Sequence, residues 1–338
     1  MNRSFPRLAA VPRPDLPASA AGGAGNGVAE GGPQRVLLHI GAPKSATSTV
    51  QQWTSTNRIR LGRSGIKSLI PASLRKPEIV NPFLRYVKGE TAEIDVSALK
   101  ALIAEAEKPK VLASEETLTN VFIPGYCDEA TGFGAIGRVA DLLEALELPG
   151  LEILLTVRRQ DRYLRSCYGH RVKRNGETAE FDDWVARRVD LEALSWEAVT
   201  ETLEARFGAE RVTVVPFEML ESADEAALYA RCLAPLGADV SHHLAPSEPE
   251  ANATLSETAT EIARVLNRLP VATRKAQVAR IELLTRIHDF ATALGDPPAR
   301  PGLDAVTELC RARYAEGNAR LAARKFPDIA SSFAFGSA

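Results

Sequence analysis

The 338-residue chain is sparing with cysteine (four), methionine (two), tryptophan (three) and histidine (five). Cys127, Cys167, Cys232 and Cys310 stand far apart, with no C-x-x-C pair and no histidine cluster beside them. That spacing argues against a zinc site or a disulfide framework and suits a reducing compartment. A basic excess is also missing. Lys and Arg number 41 against 43 Asp and Glu, a formal charge of −2, which disfavours a general nucleic-acid binder. No stretch approaches the roughly 18 apolar residues of a membrane span. Pro12, Pro14 and Pro17 interrupt any apolar run after Arg3 and Arg7, so the N-terminus reads poorly as a signal peptide. With 45% hydrophobic and 25% charged residues, the expectation is a soluble, cytoplasmic, enzyme-sized globular protein.

Pro, Gly and Ala fill more than half of residues 1–33, and nothing there repeats with helical or strand period. Such a stretch cannot bury enough apolar surface to offset its ordering entropy, so a disordered tail is expected over 1–33 and a folded domain over 34–330. Short apolar runs then alternate with helical patterns. Strands are expected at 36–40, 66–70, 111–113, 153–157 and 212–215, and a helix from Thr47 to about Arg60. Apolar strands separated by helices predict an α/β fold: one P-loop-like domain whose central parallel sheet is flanked by helices. Beyond Pro216 the pattern is helical, over 222–235, 256–268, 273–293 and 303–323.

The first strand runs into Gly41-Ala42-Pro43-Lys44-Ser45-Ala46-Thr47-Ser48-Thr49. Successive N–H groups at a strand-to-helix turn can cradle a phosphate, and the hydroxyls of Ser45, Thr47, Ser48 and Thr49 can add hydrogen bonds. Against the nucleoside-triphosphate loop G-x-x-x-x-G-K-[ST], Gly41 fits the first glycine, but Ala46 stands at the second and Thr47 at the lysine. The only lysine, Lys44, comes three residues earlier. A Ser/Thr-rich helix cap is the plainer reading of the same residues.

A second basic element follows the strand at 153–157. From Arg158 to Arg174 there are seven Lys or Arg and one acid, Asp161. A strand-end arginine and a serine two turns into the next helix can converge on one anion; a solvated basic helix face is the alternative. Arg159 and Arg162 read as surface or substrate-facing charges. At a third strand end, Ser114-Glu115-Glu116 supplies carboxylates that could take a proton from a hydroxyl or cap the following turn. A strand ending in acids is also compatible with a Mg²⁺–nucleotide enzyme. His39, on the first strand, is expected to be a hydrogen-bonded core residue. His170 could line a cleft, and Cys167 is expected to pack as a small hydrophobe.

Gly-x-Pro-Lys-Ser-x-Thr-Ser-Thr after an apolar strand resembles the 5′-phosphosulfate loop of sulfotransferases that use 3′-phosphoadenosine 5′-phosphosulfate (PAPS). Arg158 with Ser166 eight residues later resembles that family's 3′-phosphate motif. Ala46 departs from the family's usual glycine. Gln51-Gln52-Trp53, Asn57-Arg58, the stretch from Leu61 to Gly65, Ser114-Glu115, Asn252 to Ser256 and Glu316-Gly317-Asn318 are similar to bacterial members. By themselves the last two read as a helix cap and a helix surface. The C-terminal Arg-Lys-Gly of cytosolic animal members is absent.

The resemblance implies sulfuryl transfer from PAPS to an acceptor hydroxyl, carbohydrate weakly favoured, with release of adenosine 3′,5′-bisphosphate (PAP). Lys44 would act at the bridging oxygen and Glu115 as base. Lys44, Ser45, Ala46, Thr47, Ser48 and Thr49 would hold the 5′-phosphate, and Arg158 and Ser166 the 3′-phosphate. No metal, nucleic-acid partner or membrane span is expected. A P-loop nucleotide kinase or NTPase, and a non-catalytic anion-binding relative, are the alternatives.

Overall fold

Residues 34–118, 123–124, 133–222, 225–244, 255–299 and 305–335 are described by a computed structural model. The expected tail, Cys127 and Asn252 to Thr254 lie outside these residues. Among the described residues five strands form: β1 (Arg35–His39), β2 (Ile66–Leu69), β3 (Lys110–Ser114), β4 (Gly150–Val157) and β5 (Val212–Pro216). They make one sheet in the order β2-β3-β1-β4-β5, and every pairing is parallel. The fold is α/β, as the alternation of apolar runs implies.

Near-continuous apolar strands are what a sheet covered on both faces requires. Side chains alternate between the faces. Val36, Leu38, Val111, Ala113, Ile153 and Leu155 pack into one core cluster. Leu37, Leu112, Leu154 and Val215 pack into another, with Val50, Trp53 and Leu61 from the helices after β1.

Those helices are α1 (Thr47–Thr56) and α2 (Arg58–Arg63). The single helix expected to Arg60 is divided at Asn57. Asn57 is buried; its Nδ2 donates to the Trp53 and Leu244 carbonyls, and its Oδ1 accepts from the Leu244 N–H. A side-chain amide tied to a distant loop sets the chain direction there against continued helix. Between β2 and β3 come α3 (Pro71–Leu74), α4 (Pro77–Val87) and α5 (Ser97–Ala104). The prolines at 71 and 77 open α3 and α4, where their missing N–H costs nothing. Next come α6 (Ile136–Ala145) before β4, then α7 (Gln160–His170), α8 (Phe181–Arg188) and α9 (Trp196–Phe207) between β4 and β5. The C-terminal part holds α10 (Glu225–Leu233), α11 (Glu257–Leu266), α12 (Arg274–Ala293), α13 (Ala305–Lys325) and α14 (Ala330–Phe333). Phe333 and Phe335 are buried, so packed structure continues past the expected boundary at 330.

Asn318 on α13 corrects a second expectation. Read from sequence as helix surface, it is buried and exchanges hydrogen bonds with Gln160, the first residue of α7. A buried amide needs such a partner, and this one ties the C-terminal helices to the start of α7.

The topology fixes where a ligand can sit. β1 has β3 on one side and β4 on the other, and the chain reaches them by separate excursions. In open α/β sheets the crevice beyond the carboxyl ends at such a switch point is the binding place.

Candidate active site

A cleft of about 530 Å³ opens beyond the carboxyl ends of β1, β3 and β4. The loop after β1 forms its floor. Ile40 and Ala42 extend the ladder against β4, their N–H groups donating to Leu154 and Thr156 carbonyls at 3.1 and 3.0 Å. The chain then turns sharply. Gly41, Lys44 and Ala46 all have positive φ, at 60°, 72° and 69°. Left-handed residues at such a turn are the backbone feature from which anion-binding nests are built; here the Ala42 and Ser45 N–H groups are bonded to the Thr156 and Ala42 carbonyls, which leaves that of Ala46 to face a ligand. The first turn of α1 adds N–H groups without intrahelical partners. A Cβ on Gly41 would stand 2.3 Å from the Thr47 methyl, so this position needs glycine.

Lys44, Ala46, Thr47, Ser48 and Thr49 line the cleft; Ser45 does not. Ser45 is fully buried and its hydroxyl donates to the Ala42 carbonyl at 2.8 Å, closing the turn. Ala46 sits in the left-handed region that L-residues enter at a cost of about 1 kcal/mol. Ala46→Gly is therefore expected to stabilise the protein by about that much, a rise of roughly 2–4 °C in melting temperature. Thermal or urea unfolding reads this directly, and a lowered midpoint would contradict it.

From β4 come Arg158 and, on α7, Ser166, His170 and, past the helix end, Arg174, all lining the same cleft. Arg158 stacks over the Phe217 ring, its guanidinium carbon 3.9 Å from the centroid, and donates from Nη1 to the Lys44 carbonyl at 3.3 Å. Its Nε is buried with no hydrogen-bond partner. Burial pulls the Arg158 pKa down, partly opposed by Glu218. A buried donor left unmatched is expensive, and an anion in the cleft would satisfy it. Arg159 instead clasps Asp161 at 2.8 and 3.0 Å, and Arg162 pairs with Glu221.

The third wall comes from β3. Glu116 and Thr117 line the cleft with Gln51 and Arg75; Glu115 does not. Glu115 is fully buried, accepts from Arg75 Nε at 3.0 and 3.1 Å and from the Thr117 N–H at 2.8 Å. Glu116 accepts from Arg75 Nη2 at 2.7 Å and from the Gln51 amide. Arg75 thus spans both carboxylates. The sequence offers no motif at Arg75, which with Lys76 lies between Pro71 and Pro77.

His39 lies beneath the loop as expected of a core histidine. Its Nδ1 meets Ser114 Oγ at 2.8 Å and its Nε2 meets Thr156 Oγ1 at 3.3 Å, linking three strand ends. Burial lowers its pKa to about 3. His170 is lowered to about 4, by burial first and then by Lys44, Arg174, Arg171 and Lys173. Both are neutral near pH 7. Because the unfolded chain titrates near 6.5, it takes up protons that the folded protein refuses as pH falls below that value. Stability is therefore expected to decline from pH 6.5 towards 4, each histidine contributing at most about 1.4 kcal/mol per pH unit. Melting temperatures of the wild type and His170→Gln from pH 7.5 to 5 test this; identical slopes would contradict the role of His170.

Cys167 beside Ser166 is fully buried and its thiol is pushed up to about 12 by burial. A larger cavity, about 730 Å³ between α11 and α12, is mainly apolar, with Ile262, Ile287, Phe290 and Leu294 in its wall. None of its lining residues comes from the strand ends. No group of three or more metal-ligating side chains occurs among the described residues, and no helix there is long and apolar enough to cross a membrane.

No protein-family model and no curated protein matches the chain. Among solved structures it is similar to a sulfotransferase from Alicyclobacillus acidocaldarius, at 17% identity over 75% of this chain and 96% of that one, with a TM-score of 0.41. So distant a likeness leaves function to be argued from the residues of the cleft.

Proposed function

We propose that the chain is a sulfotransferase that moves the sulfuryl group of PAPS to an acceptor hydroxyl and releases PAP. The observation that carries this reading is one cleft lined by two sets of residues of the kind that bind anions, joined where Arg158 donates to the Lys44 carbonyl. The nest of Lys44 and the first turn of α1 is one, and Arg158 with Ser166 is the other. PAPS carries two separate anionic groups, the 5′-phosphosulfate and the 3′-phosphate, and each element suits one of them. A nucleoside-triphosphate enzyme needs its lysine on the β- and γ-phosphates, and Thr47 occupies that position.

In the proposed reaction the acceptor oxygen attacks sulfur in line. The new O–S bond forms as the bond from sulfur to the 5′-phosphate oxygen breaks, and that oxygen keeps the electron pair. Lys44 meets the charge developing there, so its contribution is larger in the transition state than in the ground state. Thr47, Ser48, Thr49 and the loop N–H groups hold the 5′-phosphate. Ala46 contributes backbone only. Ser45 acts from behind, by fixing the turn.

The acceptor proton needs a base. The sequence points to Glu115, whose buried pairing with Arg75 fits a supporting role better. Glu116, which reaches the cleft with Arg75 and Gln51 orienting it, is the proposed base. A carbohydrate acceptor rests on the family resemblance alone.

The test is PAP formation from sulfur-labelled PAPS across a panel of sugar, alcohol and phenol acceptors. Acceptor-stimulated PAP release with label in the acceptor is the expected result. Hydrolysis of ATP with Mg²⁺, and no PAP formation with any acceptor, would overturn the reading.

A further inference from the structure

The basic segment after β4 does not spend its charge evenly. Arg159 and Arg165 flank Asp161, Arg162 pairs with Glu221, and Arg171 lies 3.6 Å from Glu177. Arg158, Lys173 and Arg174 make no salt bridge with a carboxylate among the described residues. Arg158 belongs with Ser166. Arg174 lines the same cleft about two helical turns beyond Ser166 and, being exposed, marks its outer end.

Ser166, His170 and Arg174 follow one another at four-residue intervals, and all three line the cleft. The α-helix passes into a π-turn at Arg171–Asn175, which closes on Gly176 with φ 78°. Such π-turns are frequent at functional sites. Eight residues of helix advance roughly 10–12 Å, so the backbone positions of Ser166 and Arg174 lie about two turns apart along one face. Behind the turn, α12 brings a further cation. Arg280 is buried, its Nη1 lies 3.7 Å from the Cβ position of Gly176, and its Nε has no hydrogen-bond partner. Asp289 is the carboxylate whose charge reaches Lys173. Positive charge thus gathers at this end with little to oppose it, which concentrates anions. His170 comes between Ser166 and Arg174 in sequence, and burial first, then the surrounding cations, disfavours its protonation.

We infer that the outer end of the cleft, with Arg174 as its main ligand and His170 beside it, binds an oxyanion carried by the acceptor, so that the acceptor is an acidic molecule bearing a carboxylate, sulfate or phosphate. This rests on the donor reading given above. Arg158 and Ser166 serve the 3′-phosphate of the donor; Arg174, about two helical turns beyond Ser166, serves a second anion that the donor does not supply.

Inorganic sulfate is the probe. Wild type, Arg158→Ala and Arg174→Ala are first titrated with PAP. Sulfate is then titrated into the PAP-saturated proteins, with melting temperature as the readout and sodium chloride at matched ionic strength as the control. Arg174 is exposed, so its removal leaves the core intact. Arg174→Ala is expected to bind PAP within threefold of wild type and to lose at least fivefold in sulfate affinity at PAP saturation. An unchanged sulfate response would overturn the inference, and so would a loss of PAP affinity as large as that of Arg158→Ala, which would assign Arg174 to the donor. If wild type fails to bind PAP, the donor reading fails. The sulfate titration of nucleotide-free protein then still reads the outer end: a response weakened by Arg174→Ala supports an anion site there, and an equal response removes it.

Discussion

Lys44→Ala is expected to lower turnover by about 10²–10³-fold while the fold stays intact. The size follows from the loss of one preorganised charge aimed at a developing oxyanion, about 3–4 kcal/mol of transition-state stabilisation. The lysine is well set for that task. It lines the cleft from a left-handed backbone position with φ of 72°, and its charge is felt at Cys167 and His170 on α7. Alanine keeps the Cβ, so the left-handed backbone carries the same strain in both proteins. The melting temperature should change by no more than a few degrees. PAP affinity should fall less than turnover, because the cation acts mainly on charge that appears during the reaction. Turnover within threefold of wild type would remove Lys44 from the chemistry.

The second large effect concerns recognition of the nucleotide. Arg158→Ala should weaken PAP binding by about 100-fold and ADP binding by less than about threefold. Truncating one partner of a buried charge pair costs on the order of 2–5 kcal/mol, and only PAP carries the 3′-phosphate that would make the pair. The geometry supports a strong contact: the guanidinium is stacked on Phe217, mostly removed from water, and its buried Nε awaits an acceptor. Its backbone is pinned independently, since Trp196 Nε1 donates to the Arg158 carbonyl at 2.6 Å. Arg158→Met, which keeps the apolar stack on Phe217, separates lost packing from lost charge. Equal losses for PAP and ADP in both variants would show that Arg158 does not read the 3′-phosphate.

The strands were legible because a parallel sheet leaves continuous apolar runs, and β4 and β5 also carry the β-branched residues that suit it. That the loop after β1, Arg158 and Ser166 would meet at one cleft was legible for a different reason. Each segment joins a strand end to a helix start, so spacing in sequence fixes proximity in space. Such local logic does not extend to which of two adjacent side chains faces a cleft. Glu115 and Glu116 look alike in sequence, yet just past the end of β3 one is buried beneath Arg75 and the other lines the wall. Ser45 looked like one more hydroxyl for phosphate and turned out to close the loop on itself. Arg75 and the pairing of Asn318 with Gln160 depend on contacts 40 and 158 residues apart, which no spacing rule reports. The division of α1 from α2 is of the same kind, set by the distant loop at Leu244.

Whether the cleft selects a nucleotide by its 3′-phosphate is the central question, and thermal stability with saturating PAP, ADP and ATP plus Mg²⁺, side by side, answers it most directly. A ligand at a hundred times its dissociation constant adds about 2.7 kcal/mol to folding. The expected result is a rise of several degrees with PAP, little with ADP, and none beyond ADP with ATP and Mg²⁺. Stabilisation by ATP with Mg²⁺ and none by PAP would contradict the sulfotransferase reading and make the loop after β1 an unusual nucleoside-triphosphate site.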